Sequence, residues 1–321
     1  MHIIKFLLTA AMALSMAGVA DARNKGLPQC DDKTKVAKPN AKGIITGDER
    51  VKKGCQIDIK DLHPTQSVVG MDAVQCKAEK ITAKYKTKPS KLDKYLEDVD
   101  RFVPVVRGPS GVFYLTDHHH LSAGVWNSSI PKDKKVVNAY LIADWSSLKA
   151  DDFWILMKAN NNTWLKDSSG KEISPDQLPD SIAKLADDPL RTLSAWVRNS
   201  CGYVKCDAAS DESGNNEEQT CSKKFPQVKC ASAFFLEFAW DAYLGSIPEV
   251  KEVLNKNIAC PQEKVLTSDC LNTQYDKLVS VLPAAMKAAA APAAKDVGGA
   301  DGGYNPTEQE GKPEPKNCAA Q

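Results

Sequence analysis

The chain has 321 residues, with 42 basic against 41 acidic side chains for a net of +1, and 42% hydrophobic residues. That balance excludes a global field demanding nucleic acid or an anionic membrane as partner. The length allows one large domain or two modest ones with a real apolar core.

Residues 1–22 read as a cleaved signal peptide. His2 and Lys5 stand beside an apolar run from Phe6 to Val19, which ends in Ala20-Asp21-Ala22 with small residues at both cleavage positions. The run falls short of the ~20 apolar residues that span a bilayer. The expected localisation is therefore secreted, periplasmic or otherwise extracytoplasmic, with Arg23 as the mature N-terminus. All ten cysteines follow the cleavage site. An even number in an exporting context favours disulfides over zinc, since the spacings lack a CxxC pair.

Residues 23–53 are polar, with scattered proline, glycine and lysine, and read as an arm that Cys30 could pin. Residues 54–150 carry the expected core. Cys55 to Ile59 alternates as a strand before a His63-Pro64-Thr65-Gln66 turn, and Val74, Ala78, Ile81 and Tyr85 recur at helical period. Phe102–Val106 and Val112–Leu115 predict two strands joined by Gly108-Pro109-Ser110-Gly111, with Pro104 arguing against a central, fully paired position for the first. Asp117 is then read as the N-cap of a helix whose first turn holds His118, His119 and His120. Val136–Ala143 predicts a further strand ending at Asp144.

Residues 151–287 read as a helical extension. Asp188-Pro189 predicts a capped helix start, and later helices are expected over Ala231–Leu244, Pro248–Asn255 and Asp269–Met286. Cys201, Cys206, Cys221 and Cys230 bracket an acidic insertion over 201–230 and are assigned a structural role. Bridges are expected chiefly among these four, with the pairing open. Residues 288–321 read as a disordered tail. The fold class is α+β: a compact mixed-sheet core with a predominantly helical C-terminal extension.

Chemistry concentrates between Arg107 and His120. A helix start presents unpaired N–H donors, so the segment could bind a phosphate or carboxylate, with Arg107 as a directional fork and a histidine for proton transfer. His118 or His119 is assigned proton transfer, Asp117 the cap and orientation, and Asp144 a metal-facing or base-orienting carboxylate. Arg107, Ser110, His120, Arg191 and Arg198 are assigned to substrate. The cofactor is left unknown, with a divalent metal open. Thr65 and Gln66 are read as turn formers. Arg191 is expected to pair with Asp187 or Asp188, and Glu237, set among aromatic residues, to need Arg191 or Arg198 if buried.

Asp61-Leu62-His63-Pro64-Thr65-Gln66, Val69-Gly70, Pro104-Val105-Val106, Gly108-Pro109-Ser110-Gly111, Tyr114-Leu115-Thr116-Asp117-His118-His119-His120 and Ala143-Asp144 occur in an order that resembles the family described as "putative ParB-like nuclease". The resemblance continues through Phe153-Trp154, Leu178-Pro179, Asp187 to Leu193 and Phe235 to Trp240, about two thirds of the mature chain. It implies the ParB/sulfiredoxin superfamily core, whose turn and following helix bind nucleotide phosphates. Relatives hydrolyse CTP, repair sulfinic acids with ATP or phosphorylate free serine. The matching turn here is Asp117 to His120, followed by Leu121. Partition proteins have Gly-Glu-Arg-Arg there and sulfiredoxins Gly-Cys-His-Arg, so both the expected arginine and the thiol are missing. The resemblance implies a nuclease or phosphohydrolase acting on a phosphate-containing small molecule or nucleic acid. The alternative is a non-enzymatic extracellular nucleotide- or anion-binding module.

Overall fold

The structure, a computed structural model, describes residues 26–205, 235–254 and 268–291, together with residues 221, 230, 231, 259, 260, 294 and 297. The expected leader, the centre of the acidic insertion, Cys206, Cys318 and most of the tail lie outside the described residues.

A short helix, α1 (Gly47–Lys52), capped by the Thr46 side chain on the Glu49 amide, leads into β1 (Gly54–Asp58). Next come β2 (Leu62–Pro64), β3 (Val68–Val69), the long amphipathic α2 (Met71–Thr87) and α3 (Pro89–Leu96), which proline opens at its first position. β4 (Val103–Arg107), β5 (Phe113–Leu115), α4 (His119–Asn127) and β6 (Val136–Asp144) follow. One five-stranded sheet results, in the order β1-β6-β4-β5-β2. It is mixed: β4 runs parallel to β6 and β2 parallel to β5, while the β1–β6 and β4–β5 pairs are antiparallel.

Alternation along the strands divides the sheet's two faces. Val103, Val105 and Leu115 join Val74, Ile81, Leu121 and Val125 in a core under α2 and α4. Val106 and Tyr114 point the other way, against Phe153 and Met157 of α5 (Ala150–Ala159).

The C-terminal part is helical. β7 (Ala186–Asp187) pairs with β3 and runs into α6 (Pro189–Asn199), where the Asp188 carboxylate accepts from the Leu190 and Arg191 amides. β8 (Val204–Lys205) pairs with β9 (Cys230–Ala231). α7 (Leu236–Ser246), α8 (Pro248–Leu254) and α9 (Ser268–Ala289) pack with α6 around a second core that includes Trp196, Trp240 and Leu278. No described helix is long and apolar enough to cross a membrane.

Several expectations need correction. The segment before β1 packs rather than trailing as an arm: the Ala37 amide donates to Leu141 O at 2.7 Å, and Cys30 is bridged to Cys55. Half of the expected 63–66 turn is the edge strand β2. β4, despite Pro104, is the third of five strands. Pro104 O accepts from the Thr116 amide, so its missing N–H falls on that same side, beyond the first β5 pairing at Val105–Leu115. The disulfides spread beyond the insertion. Cys201–Cys221 closes part of it, whereas Cys30–Cys55 and Cys260–Cys270 lie elsewhere, and Cys76 is also disulfide-bonded.

The Cys30–Cys55 bridge ties a segment with little helix or strand of its own to a core strand. Paired serine substitution there is expected to cost about 2–4 kcal/mol, read as a drop in thermal midpoint. An unchanged midpoint would show that hydrogen bonds, among them Ala37 to Leu141 and Cys30 to Gln56, hold the segment without the bridge.

Candidate functional site

The histidine turn is built at the end of β5. Thr116 leaves the sheet, the exposed Asp117 carboxylate accepts from the His118 amide at 2.6 Å, and His118 adopts a left-handed conformation (φ 63°) as the residue before α4. The cap position thus belongs to His118 rather than to Asp117, because the carboxylate is spent on the amide directly after it. The helix then begins with the Ser122 amide donating to His118 O at 2.9 Å.

His119 and His120 both turn inward, onto different neighbours. The His119 ring is 3% exposed, and its Nε2 accepts from the Thr65 amide at 3.2 Å. The Thr65 hydroxyl donates instead to Leu115 O at 2.8 Å, which leaves the amide as the donor to the ring. His120 Nε2 accepts from the Gly70 amide at 3.1 Å. An imidazole nitrogen that accepts from N–H carries its lone pair, so the hydrogen-bond network assigns both rings as neutral Nδ1–H tautomers. Burial pushes the His119 imidazolium down to about 3, against a smaller opposing pull from Asp117. Burial also holds His120 well below the usual range, with Arg191 adding to the effect. The two rings clamp the segment linking β2 to α2 onto the start of α4.

Gly70 is at this clamp for steric reasons. A Cβ there would lie 2.5 Å from Thr192 Oγ1 and 2.9 Å from the Thr192 amide nitrogen, so only glycine lets α2 begin against α6.

Arg107 and Asp144 meet each other rather than the turn. The guanidinium forks onto the Asp144 carboxylate, with Nε to Oδ1 at 3.0 Å and Nη2 to Oδ2, and Nη1 donates to Asp31 O at 2.6 Å. Hydrogen bonding from Arg107 holds Asp144 down to about 2. Register explains the separation: Arg107 pairs with Phe113 and Asp144, whereas Thr116 sits level with Pro104, three residues or roughly 10 Å along the strand. The pair and the histidine turn thus occupy opposite ends of β4. Ser110 lies exposed in the loop at the Arg107 end.

Arg191 and Arg198 converge on Glu237 from α6. Arg198 Nη1 reaches Glu237 Oε1 at 2.6 Å, and Arg191 Nη2 lies 3.8 Å from the same oxygen. Arg191 does not pair with Asp187 or Asp188, because both carboxylates have other tasks. Asp187 accepts from the Met71 and Cys260 amides and from Gln274 Nε2, and Asp188 caps α6. One turn beyond Glu237, Asp241 is 5% exposed; neither of its carboxylate oxygens has a well-formed hydrogen bond among the described residues, and burial raises it well above the carboxylate range, against smaller pulls from Arg191 and Ser194. Burial likewise pushes Asp188 up to about 6.

No group of three or more His, Cys, Asp or Glu side chains among the described residues is placed to hold a metal ion. With Asp144 at the far end of the sheet, the donors expected from sequence do not assemble.

A cavity of about 640 Å³ lies instead along the β2 edge and α5. Its floor is aromatic. The Tyr114 ring sits 5.5 Å from His63 and 5.5 Å from Trp154, the latter edge to face at 79°. Phe153 supports Tyr114 from below at 4.8 Å. Gly108 makes this possible, since a Cβ there would lie 2.7 Å from the Tyr114 ring and 2.8 Å from Phe153. Asp151 and Lys158 of α5, with Asp176 and Asp180 from the following segment, form the rim. Burial lowers the His63 imidazole from its ordinary value, against smaller opposing pulls from Asp180 and Asp61. His63, Tyr114, Trp154 and Leu178-Pro179 all stand in the motifs quoted from sequence, yet no site role was assigned to them. Their signal was the recurrence of aromatic and proline residues at three separate positions, which adjacency in sequence does not reveal.

The fold is therefore α+β, a mixed five-stranded sheet with a helical C-terminal part. Residues 55–212 match the family model described as "putative ParB-like nuclease". Among solved structures, the protein Atu1540 from Agrobacterium tumefaciens is similar at 25% identity and a TM-score of 0.50, covering 77% of this chain and 96% of that one. Comparison with curated proteins finds no match.

Proposed function

We propose that this chain is an exported, non-catalytic ParB-like binding module, in which the histidine turn is a structural clamp and the groove along β2 and α5 is the ligand surface. The observation that carries the reading is the use of His119 and His120 Nε2 by backbone amides of Thr65 and Gly70. A general base needs an available lone pair and a proton affinity near the working pH. Both rings have spent the first and lost the second. Arg107, the anion fork expected from sequence, is closed onto Asp144 at the other end of β4. Export is supported by the leader-like sequence over 1–22 and by the disulfides at Cys30, Cys201 and Cys260.

The family description names a nuclease, and that chemistry gives the test. The exported protein is assayed on single- and double-stranded nucleic acids, nucleotides and simple phosphoesters, with and without magnesium, manganese or zinc. The expected result is no turnover above the buffer rate. Turnover that disappears in both His118→Ala and His119→Gln, with folding retained, would overturn the proposal.

A further inference from the structure

We infer that the groove takes a neutral saccharide, its ring stacked on Trp154 with Tyr114 beside it and its hydroxyls shared between Asp151, Asp176 and Lys158. The inference rests on the reading of the groove as the ligand surface and names what that surface recognises.

Charge comes first. The rim sets the three carboxylates of Asp151, Asp176 and Asp180 against the single ammonium of Lys158, and burial of His63 disfavours its cationic form. A phosphate or nucleotide entering this space meets like charge, so the anionic ligands suggested by the turn motif do not fit here. A cationic side chain is drawn by the carboxylates but meets Lys158. Asp180 contributes least to either, being tied to Lys184 at 2.8 Å.

Hydrogen-bond type decides between the remaining classes. An ionised carboxylate only accepts and an ammonium only donates. A hydroxyl answers both, donating to Asp151 or Asp176 and accepting from Lys158. Bonds of this kind to charged partners are the stronger sort. Asp151, Lys158 and Asp176 are all exposed, so their heads are available without breaking the fold.

Shape supplies the rest. A pyranose has an apolar C–H face bordered by hydroxyls, and it needs an accessible aromatic surface flanked by polar groups. Trp154 is half-buried and lines the cavity, held by edge-to-face contacts with Tyr114 and with Phe153, whose ring centroid is 5.0 Å away. Tyr114 and Trp154 offer an apolar body with a polar end, which suits a ligand that is wet on one side. The volume, about 640 Å³, lies within the range of pockets that enclose small ligands.

The test uses the full exported protein on a glycan array, followed by calorimetric titration with free N-acetylglucosamine, glucose and galactose oligomers. Inositol phosphates and a lysine-rich peptide serve as comparison probes. The expected result is saccharide binding that weakens at least ~10-fold in Trp154→Ala, as for a central aromatic contact. Asp176→Asn, an exposed change that leaves packing alone, is expected to weaken it as well, with an unaltered melting temperature. Binding of the phosphates or the peptide in a manner sensitive to Trp154, without any saccharide, overturns the saccharide assignment and leaves the binding-module reading standing. No binding by any of the probes overturns the assignment too. Phosphoester turnover dependent on His119 instead overturns the reading on which it rests.

Discussion

Replacing Glu237 with alanine is expected to destabilise the protein by about 3–5 kcal/mol, the usual cost of removing one partner from a buried ion pair. The cause is the two cations left behind. Arg191 is 8% exposed and Arg198 donates to Glu237 Oε1 at 2.6 Å, so removing the carboxylate takes away the negative charge that both guanidiniums share at the α6–α7 interface. Thermal melting should fall by roughly 10 °C. Asp241 offers partial relief. It lies one turn along α7, and the charge of Arg191 favours its ionised form. The double change Glu237→Ala/Asp241→Asn should therefore cost more than the two single changes added together. Strict additivity would show that Arg191 does not turn toward Asp241.

Replacing His119 is expected to act on both stability and its pH dependence. His119→Ala strands the buried Thr65 amide and leaves a cavity where the buried ring stood, for a loss of about 2–4 kcal/mol. His119→Gln can keep an acceptor without the titration. The folded imidazole is depressed to about 3 from an ordinary 6.5, so its contribution is present above pH 6.5 and is lost as pH falls toward 3. The slope is ~1.4 kcal/mol per pH unit for this one group. Asp188 works in the opposite sense. Raised to about 6, it contributes most below pH 3.8 and less as pH rises to 6. The two contributions partly offset one another in the wild type. The difference between wild type and His119→Gln isolates the histidine, and the wild type's advantage should shrink steadily from pH 6.5 downward. An advantage that is flat with pH would mean that His119 protonates in the folded state.

Much of the architecture was legible because periodicity reports local burial. The strand beginning at Cys55, the α2 pattern from Val74 to Tyr85, the two strands around Gly108 and the Asp188-Pro189 helix start all rest on contacts within a few residues. Register is a different matter. Nothing local to Arg107 or Asp144 states that β4 and β6 run parallel, and that single fact places the two side chains together and away from the histidines. Pro104 misled for the same reason: its missing N–H matters only against a neighbour, and β5 stops just short of it. The segment before β1 read as an arm because Ala37 and Cys30 acquire their burial from distant partners, Leu141 and Cys55. Of the site, the reactive residue types stood out in sequence, but what each was bonded to did not. Three adjacent histidines resemble chemistry until the amides of Thr65 and Gly70, some fifty positions earlier, are seen to occupy two of them. The groove shows the converse, being made of residues that are ordinary in sequence and become a site only when β2, β5 and α5 meet.

The account stands on the two inward histidines being neutral acceptors held by backbone amides. The measurement that tests this most directly is nitrogen-15 NMR of the histidine side chains across pH 5 to 8, with assignment by His119→Gln and His120→Gln. The account predicts that both rings stay as Nδ1–H tautomers with unprotonated Nε2 throughout that range, without a titration step. A ring that titrates near pH 6.5, or carries its proton on Nε2, would contradict it and return the turn to acid–base chemistry.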